Sequence, residues 1–455
     1  MLSTKDRILA GLFALQLLAS LAMGVGLIRG LNREGIPGTL ASAQTRVAPG
    51  ASALAAAPTE PAAAAAETPG AVTRPGSRSG GSQNEQSSAE VQGITKDSVK
   101  VGVLVTQRGA INFAGAAQGA KAYFDYVNEH GGVNGRRIVA IYADDELDSA
   151  KGLAAIAKMI NDDKVFAFAA WNAPLTEQYS TSVVNENRIP LVGCYGMWDE
   201  YRSPYTYTFE PFYYRWATAM SSYAVDHGAK KPAAIYIDNG ETESNAGFEA
   251  GLKDGFARRG VRLDPGQIYK VDVTNPDYTQ QVASMQGGGV DSLVTFIDQT
   301  AYVRLQIAMN RQRFKPIHVA DPMVLDSMVV GDRNVGESFD GTYVASEVEY
   351  LTSSSPQVSL YIQEVKRRFG SKAILNWSGE IGWADARIFV EALRRSGPNP
   401  TRQGLLAAMD SFTDYDAGII HPFTLRPGPH DPNRCFKSAR IAGGKPEVLT
   451  DWLCV

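Results

Sequence analysis

Short apolar runs alternate with amphipathic helical stretches from Val99 onward, and this alternation limits the possible folds more than any other feature. Residues 99–106 are rich in β-branched side chains, and the helical stripe that follows at 116–127 ends at Gly131-Gly132. Strands that are apolar on both faces are typical of parallel sheets covered by helices. The sequence therefore predicts an α/β fold built on a doubly wound parallel sheet.

The same order of strand and helix begins again after an aromatic segment at 201–212. An apolar run at 233–237, a helical stretch at 246–259 and an apolar run at 292–297 repeat the pattern. We expect these residues to form a second α/β lobe with its own doubly wound parallel sheet. Three later helical stretches are not interleaved with strands, and we expect them to return to an existing sheet: 359–369, 379–395 and 401–409.

The N-terminal part of the chain predicts two segments without a globular core. Lys5 and Arg7 precede an apolar run at 8–28 that is long enough to cross a bilayer as a helix. We expect residues 1–32 to be a membrane anchor or a signal segment, and the length of the run favours an uncleaved anchor. Residues 33–92 are dominated by Ala, Pro, Gly, Ser and Thr, which predicts a disordered linker.

Charge and motif content exclude several classes of function. The 455-residue chain carries a formal net charge of −4, whereas nucleic-acid binding usually requires a basic face. The five histidines show no zinc-ligand spacing, and the chain contains neither a Gly-x-Ser-x-Gly elbow nor a phosphate-loop glycine signature. We therefore expect no nucleic-acid partner, no metal, no cofactor and no enzymatic activity.

The three cysteines predict one disulfide bond. Cys435 and Cys454 flank a predicted hairpin whose turn is Gly443-Gly444, and an exported chain reaches an oxidising compartment. We predict that these two residues are joined, with Cys194 left as a buried free thiol. Closing so short a loop is expected to stabilise the fold by about 3 kcal/mol.

A set of sequence fragments follows one another in a characteristic order. They are Val99-Lys100-Val101-Gly102-Val103-Leu104, the stretch from Asn128-Glu129-His130-Gly131-Gly132 to Arg137, Asp144-Asp145, Val184-Asn185-Glu186 before Ile189-Pro190-Leu191, Asp277-Tyr278, Val290-Asp291-Ser292, and Gly397-Pro398-Asn399-Pro400-Thr401 after a helix. In this order they resemble the type I periplasmic-binding-protein superfamily. More narrowly, they resemble the leucine and branched-chain amino-acid-binding branch of ABC-transporter substrate-binding proteins.

The resemblance implies two lobes joined by a three-crossover hinge, with a ligand held in the cleft between them. Lobe 1 would comprise residues 96–210 and 346–433, and lobe 2 would comprise residues 211–345 and 434–455. The implied function is that of an extracytoplasmic solute-binding protein that captures a small amino-acid-like solute, or a larger and partly aromatic one, for the permease subunits of an ABC importer. The alternative is a ligand-binding sensory receptor domain of the same fold. Either would lie on the outer face of the cytoplasmic membrane, or be secreted or periplasmic.

The ligand site is expected beyond the carboxyl ends of the parallel strands, where helix N-termini offer free N–H groups. Asp298 is the candidate partner for a cation on the solute, and the alternative role for this residue is a helix N-cap. The candidate ligand-binding residues in these loops are Gln107, Arg108, Trp171, Asn172, Cys194, Tyr195, Gly196, Asn239, Asp298 and Gln299.

The loops depart from the pattern of amino-acid-binding relatives. The hydroxyl side chains that usually hold an α-carboxylate would fall near Pro174 and near Gly196 or Met197, where no hydroxyl is present. Aromatic residues such as Trp171 and Tyr195 stand in these loops instead. They indicate a larger, partly aromatic solute, unless the aromatic rings pack beneath the loops.

Overall fold

The structure is a computed structural model that describes residues 91–194, 202–238, 240, 242–326, 337–427 and 433–455. The described residues belong to one compact unit. The predicted N-terminal segment at 1–32 and nearly all of the predicted linker at 33–92 lie outside them. Within these ranges, no helix is both long enough and apolar enough to span a bilayer.

The first sheet contains five parallel strands within the described residues. Its order is β2-β1-β3-β4-β5, and β1 pairs with β2 from Ser98 opposite Arg137 to Leu104 opposite Ala143. The strands are β1 (Ser98–Leu104), β2 (Arg137–Ala143), β3 (Ala167–Trp171), β4 (Leu191–Cys194) and β5 (Thr206–Tyr207). The intervening helices are α1 (Ala114–Glu129), α2 (Ser149–Asn161), α3 (Pro174–Glu177) and α4 (Ser180–Asn187).

The second sheet contains eight strands within the described residues, and it is mixed rather than purely parallel. Its order is β12-β11-β10-β9-β8-β6-β7, with β13 paired to β11. The parallel strands are β6 (Pro232–Ile237), β7 (Ile268–Val271), β8 (Ser292–Phe296), β9 (Ile317–Ala320) and β10 (Tyr343–Ser346). The antiparallel strands are β11 (Cys435–Ala442), β12 (Lys445–Val448) and β13 (Leu453–Cys454).

Among the described residues, one helix precedes β6, three helices connect the parallel strands β6 to β9 of the second sheet, and three more follow β10. The first group is α5 (Tyr213–Asp226), α6 (Thr242–Ala257), α7 (Thr279–Gly287) and α8 (Gln299–Gln312). The second group is α9 (Pro356–Phe369), α10 (Trp377–Arg395) and α11 (Arg402–Asp410). The α/β prediction is therefore confirmed, and the expectation of a purely parallel second sheet is corrected by β11 to β13.

Helix α10 packs against α1 on the first sheet at a distance that only glycine allows. A Cβ atom built on Gly119 would lie 2.0 Å from the backbone oxygen of Gly379, and one built on Gly382 would lie 2.1 Å from that of Ala116. Any larger residue would force the two helices apart. The chain therefore passes from the first sheet to the second before α5, returns after β10, and passes back before β11.

Strand β13 brings the two C-terminal cysteines together. Cys435 on β11 lies opposite Cys454 on β13, and their Sγ atoms are bonded at 1.98 Å. Cys194 is buried as a free thiol at the end of β4. The imidazole of His421 lies near the bonded pair, so that one ligand atom from each of the three residues falls within 4.8 Å of the others. Because both sulphurs are in the disulfide, this group offers no thiolate to a metal.

Candidate functional site

A cavity with about 520 Å³ of empty space, its open mouth included, lies where loops of the first sheet meet strand ends of the second. Ligands of parallel α/β sheets usually bind at such strand ends. The first sheet contributes Ile111, Pro174 and Leu175, and the second contributes Tyr213, Ile237, Asp238, Val273, Phe296, Ile297, Asp298 and Met323.

The loop that carries Pro174 and Leu175 is held by a buried carboxylate. Asp145 follows β2, and its two oxygens accept hydrogen bonds from the hydroxyls of Thr106 and Thr176, each at 2.6 Å. Thr106 ends the segment after β1, whereas Thr176 lies in α3. Because one buried carboxylate joins both segments, this side of the cavity is fixed before any ligand binds.

The opposite side of the cavity is built from aromatic and aliphatic side chains. Tyr213, at the start of α5, meets Phe296 at the end of β8 edge to face, with 5.1 Å between ring centroids. Ile237 ends β6, and Val273 follows β7. These walls provide apolar area for a solute but little opportunity for directional hydrogen bonding.

Asp298 lies at the N-terminus of α8 and has one oxygen committed to the helix. Its Oδ1 accepts from the backbone N–H groups of Thr300 and Ala301, both at 2.8 Å, and from the hydroxyl of Thr300 at 2.6 Å. Its Oδ2 is buried without a hydrogen-bond partner among the described residues, and the nearest cation is Arg304 at 3.8 Å. Asp298 therefore caps helix α8 through Oδ1, whereas Oδ2 remains a hydrogen-bond acceptor at the cavity wall.

Asp238, the other acidic residue of the cavity, is already neutralised. Its Oδ2 pairs with Lys270 at 2.9 Å, and its Oδ1 accepts from Asn245 and from the backbone N–H of Gly240. Partial burial acts to raise the pKa of Asp238, but these hydrogen bonds and the Lys270 charge together hold that pKa below its ordinary value. Among the described residues that line the cavity, only Asp298 has an acidic oxygen without a hydrogen-bond partner, and this oxygen lies 3.8 Å from Arg304.

Comparison with known proteins identifies the family. A family model described as periplasmic binding protein matches residues 98–445, which is more than half of the chain. The chain belongs to the periplasmic binding protein family. This result confirms the resemblance drawn from the sequence fragments.

Solved structures of this family share the fold at low sequence identity. A fatty acid ABC transporter substrate-binding protein from Thermomonospora curvata superposes with a TM-score of 0.69 at 17% identity, covering 80% of this chain and 94% of that one. A branched-chain amino acid ABC transporter protein from Thermus thermophilus with bound valine gives 0.69 at 16% identity, covering 80% and 98%. A solute-binding protein from R. palustris in complex with benzoate gives 0.67 at 15% identity, covering 79% and 98%.

Sequence similarity to a curated relative covers a shorter region. The Leu/Ile/Val-binding protein homolog 1 of Brucella abortus (strain 2308) is 26% identical over 203 residues, which is 42% of this chain and 52% of that protein. The match therefore spans about half the length of the curated relative.

Two residues predicted to bind the ligand of this periplasmic binding protein lie elsewhere. The side chain of Arg108 is 67% exposed and pairs with Asp144 at 2.7 Å and with Glu146 at 2.9 Å. The backbone N–H of Gln107 donates to the same Asp144. Neither residue lines the cavity. The carboxylates of the loop after β2 hold both residues in place instead.

Trp171, Asn172 and Cys194 are buried beneath the loops. Trp171 is 0% exposed and packs edge to face on Phe168, with 5.3 Å between ring centroids. Asn172 donates to Asp385 of α10 at 3.2 Å, and Cys194 is part of the same core as Trp171. The expectation that these three residues face the ligand is corrected: their side chains join β3, β4 and α10 inside the first sheet.

Gln299 lies between the two sides of the molecule. Its Nε2 donates to the backbone oxygen of Asn112, which follows β1, and to Asp326, which follows β9. The remaining predicted residues, Tyr195, Gly196 and Asn239, lie outside the described residues.

Sequence reasoning missed the apolar walls of the cavity. Four of the wall residues lie at or just after strand ends, and this position is the signal by which the sequence could have identified them: Ile111, Leu175, Ile237 and Phe296. The candidates predicted in these loops were polar residues, two aromatic residues, a cysteine and a glycine, and they included no aliphatic side chain. A solute with a large apolar part needs apolar area more than it needs hydrogen bonds, so such residues belong among the candidates.

Proposed function

We propose that this periplasmic binding protein captures a small solute between two lobes outside the cytoplasm and delivers it to an ABC-type importer. One observation carries the proposal: the walls of the cavity come from the strand ends of both sheets. A solute there touches both sides at once, which is how binding can stabilise closure. The family match and the likeness to solved substrate-binding proteins of ABC transporters support the same function.

Contacts across the cleft support a closed arrangement. Gln299 reaches Asn112 at 3.2 Å, and Arg202, which precedes β5, reaches Glu243 in the first turn of α6 at 2.5 Å. The sheet topology supports the lobe limits that we propose: residues 96–210 with 346–433, and residues 211–345 with 434–455. Attachment through the segment at 1–32 is a further proposal.

The solute that best matches the cavity has an apolar or aromatic body and one hydrogen-bond donor, such as an ammonium group. The body would lie against Ile111, Leu175 and Phe296, and the donor would reach Oδ2 of Asp298. Relatives with a bound solute carry valine or benzoate, which both have an apolar part. The described residues of this cavity include no Lys, Arg or His to pair with a carboxylate.

A thermal-shift screen of amines, amino acids, aromatic acids and amides tests the proposal without assuming one solute. A ligand at about one hundred times its Kd raises the free energy of unfolding by about 2.7 kcal/mol, so a true solute is readily detected. Calorimetry with that solute then compares two variants, Asp298→Asn and Asp148→Asn. Both aspartates are helix N-caps, but Asp148 caps α2 away from the cavity.

We expect Asp298→Asn to weaken binding of a cationic solute by at least about tenfold and Asp148→Asn to leave it unchanged. Asparagine caps helices as well as aspartate, so both variants should fold. Equal affinity in the two variants would place the solute elsewhere. Loss of solute uptake by cells that lack the protein separates transport from the sensory alternative, in which uptake persists and a response is lost.

A further inference from the structure

A second cavity, with about 820 Å³ of empty space including its mouth, shares no lining residue with the first. It lies where the chain leaves β10 and where α10 begins. Its apolar wall contains Leu325, Leu351, Leu375 and Trp377, and its charged side chains include Glu380. Because these residues come from both sides of the crossover after β10, an occupant would touch the crossover, the start of α10 and the turn between β11 and β12 together.

Glu380 is a buried acid without a counter-ion. It lies in the first turn of α10, it is 2% exposed, and its Oε1 has no hydrogen-bond partner among the described residues. Within the same residues, no Lys, Arg or His lies within salt-bridge distance of it. Burying an unpaired carboxyl group costs free energy. Such a group is therefore usually either protonated or used to bind a ligand.

The two acidic residues whose charges act on the pKa of Glu380 each have a partner of their own. Glu349 pairs with Lys437 at 2.7 Å, and Glu347 accepts a hydrogen bond from the indole of Trp377 at 2.8 Å. Burial, and then the charges of Glu349 and Glu347, raise the pKa of Glu380 well above its ordinary value. Burial and these two neighbouring charges therefore favour the protonated form of this carboxyl group.

The remaining charged group at the cavity does not replace a counter-ion. Lys445 follows the turn between β11 and β12, is exposed, and forms no ion pair with Glu380. The position of Glu380 in the first turn of α10 favours a negative charge, because the N-terminal end of a helix carries partial positive charge. A cation that entered the cavity would supply the interaction that the ionised carboxylate lacks.

We propose that this second cavity is a binding site for a monovalent organic ammonium compound with an apolar or aromatic body. The ammonium group pairs with Glu380, and the body lies against Trp377, Leu351 and Leu375. On binding, the carboxyl group of Glu380 releases its proton to the buffer, and the resulting carboxylate pairs with the ammonium ion. The site is independent of the solute proposed for the first cavity.

The test uses 2-phenylethylamine as the probe, with 2-phenylethanol and 3-phenylpropionate as neutral and anionic analogues of similar shape. Titration calorimetry on the full chain should show saturable binding of the amine, at least about tenfold weaker binding of the alcohol, and weaker binding still of the acid. Titration in two buffers with different ionisation enthalpies should show proton release with the amine and none with the alcohol.

Glu380→Gln should weaken binding of the amine by at least about tenfold, leave binding of the alcohol unchanged and abolish proton release. Asp148→Asn, at a helix N-cap that lines neither cavity, should leave the binding of all three probes unchanged. A second variant, Leu375→Trp, fills the cavity and keeps Glu380, so it should abolish binding of the amine even if Glu380→Gln fails to fold. The proposal is overturned if wild type shows no saturable amine binding, if either variant of the second cavity binds the amine as wild type does, or if Asp148→Asn loses amine binding.

Discussion

The side-chain amide of Gln299 donates to Oδ2 of Asp326 at 2.7 Å while it also donates to the backbone oxygen of Asn112 at 3.2 Å. One amide thus joins the loop after β1 of the first sheet to the loop after β9 of the second. Asp326 is fully buried, and burial raises its pKa to about 7, although hydrogen bonds from Gln299 and from the backbone N–H of Ser378 act against that rise.

Asp326→Asn should remove part of the pH dependence of stability. Between its ordinary pKa of 3.8 and about 7, the folded state holds a proton on Asp326 that the unfolded state releases. The wild-type free energy of unfolding should therefore fall as pH rises through this window, by up to about 1.4 kcal/mol per pH unit from this group, and level off above it. Asparagine mimics the protonated acid and should lack this slope.

Denaturant unfolding from about pH 4 to about pH 8 measures the effect. Burial raises the pKa of Glu210, Glu347 and Asp385 as well, so the difference between variant and wild type is the informative quantity. Asp162→Asn, at an exposed position after α2, is the control and should follow wild type. Identical slopes for Asp326→Asn and wild type would contradict the assignment.

Trp171→Ala should destabilise the fold without a direct effect on solute binding. Removing a fully buried indole from the core beneath β3 should cost about 3 to 5 kcal/mol, and Trp171→Phe should cost less. Tyr179→Ala removes an aromatic ring that is 38% exposed and should change the free energy of unfolding by no more than about 0.5 kcal/mol. A Trp171→Ala protein that keeps its stability but loses the solute would return this ring to the ligand site.

Reduction should destabilise the chain through the pair Cys435 and Cys454. Replacing both with alanine should lower the free energy of unfolding by about 3 kcal/mol, because the unfolded chain regains the freedom of the open loop. Mass spectrometry of a non-reduced digest should show the two residues in one linked pair of peptides. Cys194→Ala is the control, which should keep the response to reductant. Alkylation of all three thiols without reduction would contradict the pairing.

The apolar run at 8–28 should keep the exported protein on the membrane. We expect the full chain to remain in the membrane fraction after an alkaline wash, because a helix of this length inserts stably in a bilayer. N-terminal sequencing measures the alternative directly. Recovery of a soluble chain that begins at Gln44 would show cleavage after the small residues at 41–43.

The alternating pattern allowed the sequence to predict the parallel strands, because both faces of such strands are buried. The Gly443-Gly444 turn predicted the C-terminal hairpin of β11 and β12, but nothing in residues 435–448 indicates that β11 pairs with β10, far away in the chain. The alternating pattern also could not orient Trp171. The preceding Ala170 has a φ of 52°, and this left-handed residue interrupts the regular alternation of side chains at the end of β3. The N-cap role of Asp298 was predictable because helix capping depends on the residue type at the start of the helix.

The antiparallel strand β11 has a consequence for biosynthesis. Until residues 435–442 leave the ribosome, β10 presents an edge of unpaired N–H and C=O groups on which another chain could add a strand. Helices α9 to α11 are synthesised during the same interval, and they must return to the first sheet. A chain that folds only after export is complete avoids this exposure, whereas one that folds during synthesis leaves the edge of β10 open until β11 pairs with it.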